Sequence, residues 1–486
     1  MDFNMVHKKN IYITTTLPYV NADPHVGFAM EIIRADTLAR YYRSIGHSVY
    51  LNTGTDEHGA KIHESAQAEG ESTQVYVDRF ARRFSDLKKL LNLSVDNFIR
   101  TTDPHHIAAA QEFWRRCAAS GDIYKKLYKV KYCIGCELEK TDSELVNGKC
   151  ELHSNREIEM REEENYFFRF SKYTQPLLDL YAAQPDIVIP AYRLNETRAF
   201  VERGLEDFSI SRLASKMPWG VSVPDDREHV MYVWFDALVN YISAIGWPDD
   251  METFRSHWPV IQYCGKDNNR QQSAMWQAML LSANLPPSKN IIINGFIMSG
   301  GVKMSKSLGN VVSPLEAIAE FKAVTAYPED VLRFVLLHDI PSFEDGDLTM
   351  ESMRASYSAH LQNGIGNLTS RIMKMATSHL SLPVEIHSFT HPNAIDTAFA
   401  AFDIKKAIEC VMGAVRELDA YIQETEPFKV VKVDVERGEI LITEMVERLH
   451  RIATLLAPFL PRTSEEICRL IRAHEMPEKP LFNRLS

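Results

Sequence analysis

No stretch of about 18 apolar residues occurs in this 486-residue chain, which excludes a conventional membrane-spanning helix. The start, Met1-Asp2-Phe3-Asn4, lacks the charged-then-apolar pattern of a secretory signal, so the expected compartment is the cytoplasm. Cysteine is scarce, at seven residues, and three of the seven fall within the 18 positions 133–150. A disulfide framework would spread them; clustering in a long chain argues for metal in a reducing compartment. Net positive charge is also missing. At −11 the chain offers no globally basic surface for nucleic acid, although a structured RNA can be read through local patches and shape. Neither an internal repeat nor a low-complexity tail is present. What remains is an ordinary globular composition, long enough for roughly two to four structural units.

The run Ile11-Tyr12-Ile13-Thr14-Thr15 alternates and reads as a strand. A turn-rich stretch at 18–24 leads into a helical pattern over about 27–45, stopped at Gly46. Ser48-Val49-Tyr50-Leu51-Asn52 reads as a second strand, running into Gly54-Thr55-Asp56-Glu57-His58-Gly59. Strand, helix, strand and polar loop open a doubly wound parallel α/β sheet of Rossmann type, in which ligands bind at the carboxyl ends of the strands. From about 117 to 228 short strands and polar turns suggest an insertion. Strand character returns at 230–234, 260–264 and 291–293, read as the second half of the same sheet. Beyond about 350 amphipathic helices dominate. Leu361, Ile365, Leu368 and Ile372 share one helix face, and 403–422 and 440–456 continue the style, so a helical bundle is expected at the end.

Three patterns carry chemistry. Pro24-His25-Val26-Gly27 sits where a strand turns into a helix. Free backbone N–H groups and the positive end of the helix dipole there suit phosphate oxygens, and His25 adds a donor. Alone, such a tetrapeptide also describes a surface histidine after a proline turn. Lys303-Met304-Ser305-Lys306-Ser307 lies 278 residues beyond His25 and follows Ser299-Gly300-Gly301. Two ammonium groups three residues apart can neutralise a leaving pyrophosphate, on a loop whose glycines let it close and open. Cys133-x2-Cys136 and Cys150-x2-His153, 13 residues apart, are the two halves of a tetrahedral zinc knuckle. Four N and S ligands close that site, so the ion is expected to hold the insertion rather than to do chemistry; reduced core cysteines with a surface histidine are the alternative.

The two signatures resemble those of class I aminoacyl-tRNA synthetases. In detail the text is similar to the methionyl-tRNA synthetase family, through Thr16-Leu17-Pro18-Tyr19-Val20-Asn21, Gly54 to Gly59, Tyr232-Val233-Trp234-Phe235-Asp236-Ala237, Gly265-Lys266-Asp267 and Lys303 to Ser307. These motifs stand in the family's order, and the resemblance covers 11–485. It implies that Leu17, Tyr19, Trp234, Ala237, Leu238 and Tyr241 line a methionine side-chain pocket, where a polarizable thioether suits aromatic walls. It implies that Asp56 holds the substrate ammonium and that Arg212 braces this aspartate. Asp267 would bond the ribose hydroxyls, Gly265 and Gly27 would let the nucleotide lie close, and Glu31 would lie near the adenine. His25, Lys303 and Lys306 would stabilise the transition state and the pyrophosphate. For Trp234 and Tyr241 a packed aromatic core is the competing reading.

Two positions depart from the family pattern. Phe28 stands where the first signature has its second histidine, and Gln272 stands where a histidine faces the methionine pocket. The glutamine can offer an amide near the sulfur but cannot titrate. At the helical end, Asn367 and Arg371 lie four apart on one helix and match the family's anticodon-reading pair. Phe428 falls where the family has a tryptophan on which a base can stack. A helix cap, a surface ion pair and a core aromatic are the plainer account of the three. The segment 350–486 carries 16 Lys and Arg against 18 Asp and Glu, so recognition there would be local and geometric.

The resemblance implies a methionine–tRNA ligase using ATP with Mg²⁺, L-methionine and tRNA(Met), with one structural Zn²⁺ held by Cys133, Cys136, Cys150 and His153. The expected divisions are a first catalytic half at 1–116, the connective insertion with the zinc knuckle at 117–228, a second catalytic half with the Lys303 loop at 229–325, a linking stem-contact segment at 326–350 and a helical anticodon-binding domain at 351–486. No large editing insertion is visible, which disfavours the isoleucine, valine and leucine enzymes. A cysteine-specific ligase would place zinc in the amino-acid pocket, whereas here the ligands are expected away from Tyr19 and Trp234. A silent tRNA-binding paralogue would not need a complete ATP and ammonium site. With no added OB-type domain before the end of the chain, a monomer is expected.

Overall fold

The computed structural model describes residues 8–136, 138–140, 145–304, 312–387 and 389–485. The alternating run at the start forms strand β1 (Asn10–Thr14), buried from Ile11 onward. Helix α1 (Val26–Ser44) follows, and the chain turns at Gly46, whose φ of +90° favours glycine. Strands β2 (Ser48–Thr55) and β3 (Asn97–Arg100) continue outward from β1, parallel to it. On the other side of β1 lie Ile261–Gly265, Asn290–Asn294 and Val188–Ile189, so six parallel strands form one sheet. The direction of winding reverses between β1 and Ile261–Gly265. A crevice opens there, at the carboxyl ends of the strands, where doubly wound sheets bind ligands.

The structure departs from the sequence reading at two places. The strand Val188–Ile189 falls inside the stretch read as an insertion, yet it forms an edge of the main sheet. Two residues are too few to show any alternation. The run at 230–234 does not return to the main sheet. Asp226–Met231 joins Ser211–Leu213 and Ser222–Val223 in a small antiparallel sheet, and the chain then turns helical over Val233–Ala237. Aromatic and β-branched residues read as strand, but that preference depends on context, and here tertiary packing, with Val230 to Val233 buried and Trp234 partly so, overrides it.

Within the insertion, strand β4 (Ile123–Cys133) pairs antiparallel with Glu159–Phe168 along almost its full length, from Ile123↔Phe168 to Tyr132↔Glu159. This ribbon ends in the small hairpin of Leu145–Val146 and Lys149–Cys150.

Helix α1 buries 13 of its 19 residues, including Glu31, Arg34 and Asp36, so its charges need partners. Arg34 donates to Asn294 Oδ1 (2.9 Å) and to the carbonyls of Ile340 (3.2 Å), Pro341 (2.6 Å) and Ser342 (2.9 Å). Asp36 pairs with the fully buried Arg333 at 2.7 Å, and Arg333 also donates to the carbonyls of Pro458 and Phe459. Ser342 in turn donates to Asp403, the N-cap of helix Ile404–Thr425. These bonds bind the sheet layer to the helical end.

The helical end contains the expected face: Leu361, Ile365, Leu368 and Ile372 are all buried. It is not one regular helix. Tyr357–Gly366 is π-helical, with Gly364 outside helical geometry, before regular winding resumes at Asn367–His379. Ile404–Thr425, Val435–Leu456 and Pro461–Ala473 pack beside it.

Candidate active site

The crevice holds a cavity of about 750 Å³. Its walls come from the loop after β1, the start of α1, the end of β2, helix Val233–Ala237 and the segment after Ile261–Gly265. Leu17, Tyr19, His25, Gly27, Glu31, Asp56, Trp234, Ala237, Leu238, Tyr241, Gly265, Asp267 and Gln272 all line it. Residues separated by up to 255 positions therefore share one space, as the sequence reading requires.

His25 is the N-cap of α1 and is exposed to the cavity. Its Nδ1 accepts from the Gly27 backbone N–H at 3.1 Å, which leaves Nε2 to carry the ring proton outward as a donor. A β-carbon at Gly27 would lie 2.9 Å from the His25 ring atoms Cε1 and Nδ1. At Gly265 a β-carbon would lie 2.7 Å from Asp267 Oδ1. In both places the missing side chain makes room for a polar group folded back over its own backbone. Sequence reasoning assigned the glycines to close approach of the nucleotide and missed this function. Phe28 packs edge-on against Phe84 with ring centroids 5.5 Å apart, and both line the cavity.

Glu31 faces the cavity from the second turn of α1 and accepts from the Thr16 N–H at 2.7 Å, fixing the loop after β1. Burial pushes its carboxyl up to about 8. The folded chain keeps this proton, whereas an unfolded chain releases it near pH 4. The stability Glu31 contributes is therefore complete below that lower value and is lost as pH rises through about 8. Glu31→Gln keeps an acceptor for Thr16 and cannot ionise. Its melting temperature should gain on that of the wild type as pH is raised from 6 towards 9; a difference independent of pH would contradict the assignment.

Asp56 is held by its backbone, donating to the Pro18 carbonyl (3.0 Å) and accepting from the Val20 N–H (3.1 Å). The loop carrying Tyr19 is thus fastened to the end of β2. Opposite, Tyr241 accepts from Gln272 Nε2 at 2.7 Å, while Gln272 Oε1 accepts from Gln262 Nε2 at 3.1 Å. The amide expected to meet a sulfur thus lines the cavity with its oxygen and one N–H already engaged by Gln262 and the Tyr241 phenol. Gln272 lies in a π-helical stretch, Gln271–Met275, the kind of local widening often found at functional sites.

Arg212 is buried. It donates to Ser209 Oγ (2.8 Å) and the Ser211 carbonyl (2.7 Å), and its guanidinium lies 4.2 Å from the centre of the Tyr232 ring. Lys303 closes the short strand Val302–Lys303, and Lys306 lies outside the described residues. Asn367 and Phe428 are exposed on the helical end, and Arg371 is paired with Asp419 at 2.5 Å.

Cys133, Cys136, Cys150 and His153 converge at the tip of the ribbon, with their ligand atoms all within 4.8 Å of one another. Cys136 Sγ lies 3.3 Å from Cys150 Sγ and 3.2 Å from His153 Nδ1. A tetrahedral zinc site, with Zn–S bonds of about 2.3 Å, needs ligand separations of about 3.7 Å, so the set fits such an ion with little movement. A β-carbon at Gly135 would fall 2.3 Å from the His153 ring, so that glycine seats the fourth donor. The knuckle does not lie away from Tyr19 and Trp234, as the sequence reading had it. Cys136 and His153 line the same cavity, because the ribbon folds back over the crevice.

Comparison with known proteins agrees with this geometry. The family model for tRNA synthetases class I (M) matches 11–155 and 135–373. The methionine–tRNA ligase of Thermotoga maritima is 37% identical over 96% of this chain and 76% of its own length. That of Thermosynechococcus vestitus is 38% identical over 94% of this chain and 88% of its own. The solved structure of Mycobacterium tuberculosis methionyl-tRNA synthetase in complex with methionyl-adenylate superposes with a TM-score of 0.89 and 33% identity, covering 98% of this chain and all of that one. Its free-state structure gives 0.82 at 30% identity. With relatives this similar over nearly the full length, and a cavity that gathers the expected residues, the chain belongs to the methionine–tRNA ligase family of class I aminoacyl-tRNA synthetases.

Proposed function

We propose that this enzyme activates methionine with ATP and transfers the methionyl group to tRNA(Met). The methionine carboxylate attacks the α-phosphorus of ATP-Mg²⁺, forming methionyl-adenylate and releasing pyrophosphate. The nucleophile is already an anion, so the enzyme needs no general base; it positions the reactants and stabilises developing charge. The terminal ribose hydroxyl of the tRNA, the 2′ in this class, then attacks the adenylate.

In this reading His25 donates from Nε2 to the reacting phosphate, and Lys303 and Lys306 neutralise the pyrophosphate. Gly27, Glu31, Gly265 and Asp267 frame the nucleotide, with Asp267 on the ribose. Asp56, braced by Arg212, holds the ammonium. Leu17, Tyr19, Trp234, Ala237, Leu238 and Tyr241 receive the thioether, with Gln272 behind Tyr241. Cys133, Cys136, Cys150 and His153 hold a structural zinc ion that keeps the ribbon folded. Asn367, Arg371 and Phe428 read the anticodon from the helical end, 351–486. The enzyme works as a cytosolic monomer; its seven cysteines, none in a disulfide, suit a reducing compartment.

The observation that carries this reading is the cavity itself: an apolar wall with Trp234 and Tyr241, a buried carboxylate at Asp56 and a phosphate-ready helix start at His25 face one another. ATP–pyrophosphate exchange with each of the twenty amino acids, without tRNA, tests it. Exchange is expected with methionine alone. Exchange driven by another amino acid would keep the class and discard the specificity.

A further inference from the structure

Behind the wall that carries Trp234 and Ala237 lies a set of buried polar side chains that no substrate atom needs to touch. The Asp236 carboxylate is fully buried. Its Oδ2 lies 2.9 Å from His58 Nδ1, and its Oδ1 lies 3.3 Å from His106 Nε2. His106 Nδ1 lies 2.9 Å from Ser243 Oγ. His58 and His106 are themselves buried, at 4% and 0% exposure. An ionised carboxylate in such a place is stable only when donors meet its oxygens. That requirement sets the tautomers: His58 carries its proton on Nδ1, His106 carries its own on Nε2, and His106 Nδ1 accepts from the Ser243 hydroxyl.

The cluster joins the pieces that build one side of the cavity. His58 stands two residues beyond Asp56. Asp236 lies between Trp234 and Ala237 on the same short helix, Val233–Ala237. Ser243 stands two residues beyond Tyr241, and His106 belongs to helix Pro104–Ala119, which backs the wall. Trp219 closes the outer side, donating to the Glu57 carbonyl at 2.6 Å with its ring edge-on to His58. An amino acid held by its ammonium at Asp56 and by its side chain at Trp234 and Ala237 requires a fixed span between those two grips. Covalent geometry does not supply it, since the two segments are about 180 residues apart. A site performs when such spans are held to within about 0.5 Å.

We infer that Asp236 is a positioning residue for methionine: its bond to His58 clamps the Asp56 loop to the Trp234 helix, its bond to His106 ties that helix to Pro104–Ala119 behind it, and together they set the length of the amino-acid pocket. This rests on the reading of that wall as the methionine pocket.

Asp236→Asn tests it. Asparagine keeps the shape but only one acceptor oxygen; its amide nitrogen donates, so one imidazole must give up its donor tautomer and the charge-assisted pair of bonds becomes two weaker neutral ones. In ATP–pyrophosphate exchange the methionine KM should rise at least about tenfold, with the ATP KM within about twofold and kcat at saturating methionine within about threefold. A purely structural loss would reduce the active fraction and so lower kcat with both KM values unchanged. An unchanged methionine KM, or an equal rise in both KM values, overturns the inference. If Asp236→Asn yields no folded protein, Ser243→Ala decides. It deprives His106 Nδ1 of its donor and should raise the methionine KM by roughly threefold, without affecting that of ATP; no rise overturns the inference. The wild-type control separates the two readings, because an enzyme whose exchange does not respond to methionine has lost the pocket assignment itself.

Discussion

Gly27→Ala should impair adenylate formation at least about tenfold, by displacing His25. His25→Ala deletes a positioned donor to developing phosphate charge, an effect of about 10²–10³ in kcat where single donors of this kind have been removed. Alanine at 27 places its β-carbon 2.9 Å from the His25 ring. The ring is exposed and can swing away, so the clash resolves at the expense of the Gly27 N–H to Nδ1 bond rather than of the fold. Alanine is also the better helix former, by about 1 kcal/mol in a helix interior. The expected signature is thus an unchanged or higher melting temperature with kcat lowered at least about tenfold. The double variant His25→Ala/Gly27→Ala should be no worse than His25→Ala alone. A further drop in the double variant would mean that Gly27 acts on the nucleotide directly, and Gly27→Ala kinetics within twofold of the wild type would sink the steric argument.

The second large effect is expected at Cys136→Ser. Serine is a poor zinc ligand, and the remaining three donors leave an open position, so bound metal should fall well below one equivalent per chain. Metal binding and local folding are linked in such knuckles. Amide exchange along β4 and Glu159–Phe168 should therefore quicken. Because Cys136 and His153 form part of the cavity wall, methionine activation should fall as well, by about 10-fold or more, the scale seen when metal-site geometry is loosened. Full metal content in the variant would remove Cys136 from the ligand set. Lost metal with untouched exchange kinetics would detach the knuckle from the site. Chelation of the wild type should reproduce the variant.

The catalytic layer was legible wherever a pattern is long or chemically specific. β1, α1 and β2 declared themselves through alternation, helical spacing and a glycine stop. The four side chains that converge at the tip of the ribbon, a set that could hold a metal ion, declared themselves through their spacing. What escaped is what sequence does not encode locally. Val188–Ile189 is too short to alternate, and its membership of the main sheet is decided by the neighbouring strand. Val233 and Trp234 are strand-like residues that open a helical turn after Tyr232, because tertiary packing outweighs their local preference. The position of the knuckle over the cavity depends on how the long ribbon bends, which its own residues do not reveal. His58, His106 and Asp236 lie far apart in the chain, and no motif joins them. The second lysine of the Lys303 loop, Lys306, lies outside the described residues, so its part in the site rests on the family pattern.

Helix α1 has one more consequence when treated as a mechanical part. Its 19 residues, at about 1.5 Å each, make a rod about 28 Å long with His25 at its tip. About ten residues along, the rod is pinned: Arg34 by the carbonyls of 340–342, Asp36 by Arg333. A tilt of about 3° around that pin moves the tip by roughly 0.8 Å. Displacements near 1 Å are enough to change a catalytic rate by about 10². The pin is shared with Ser342 and, through Asp403, with the helix Ile404–Thr425. The helix that carries His25 at its tip and the helical end thus share one anchoring point.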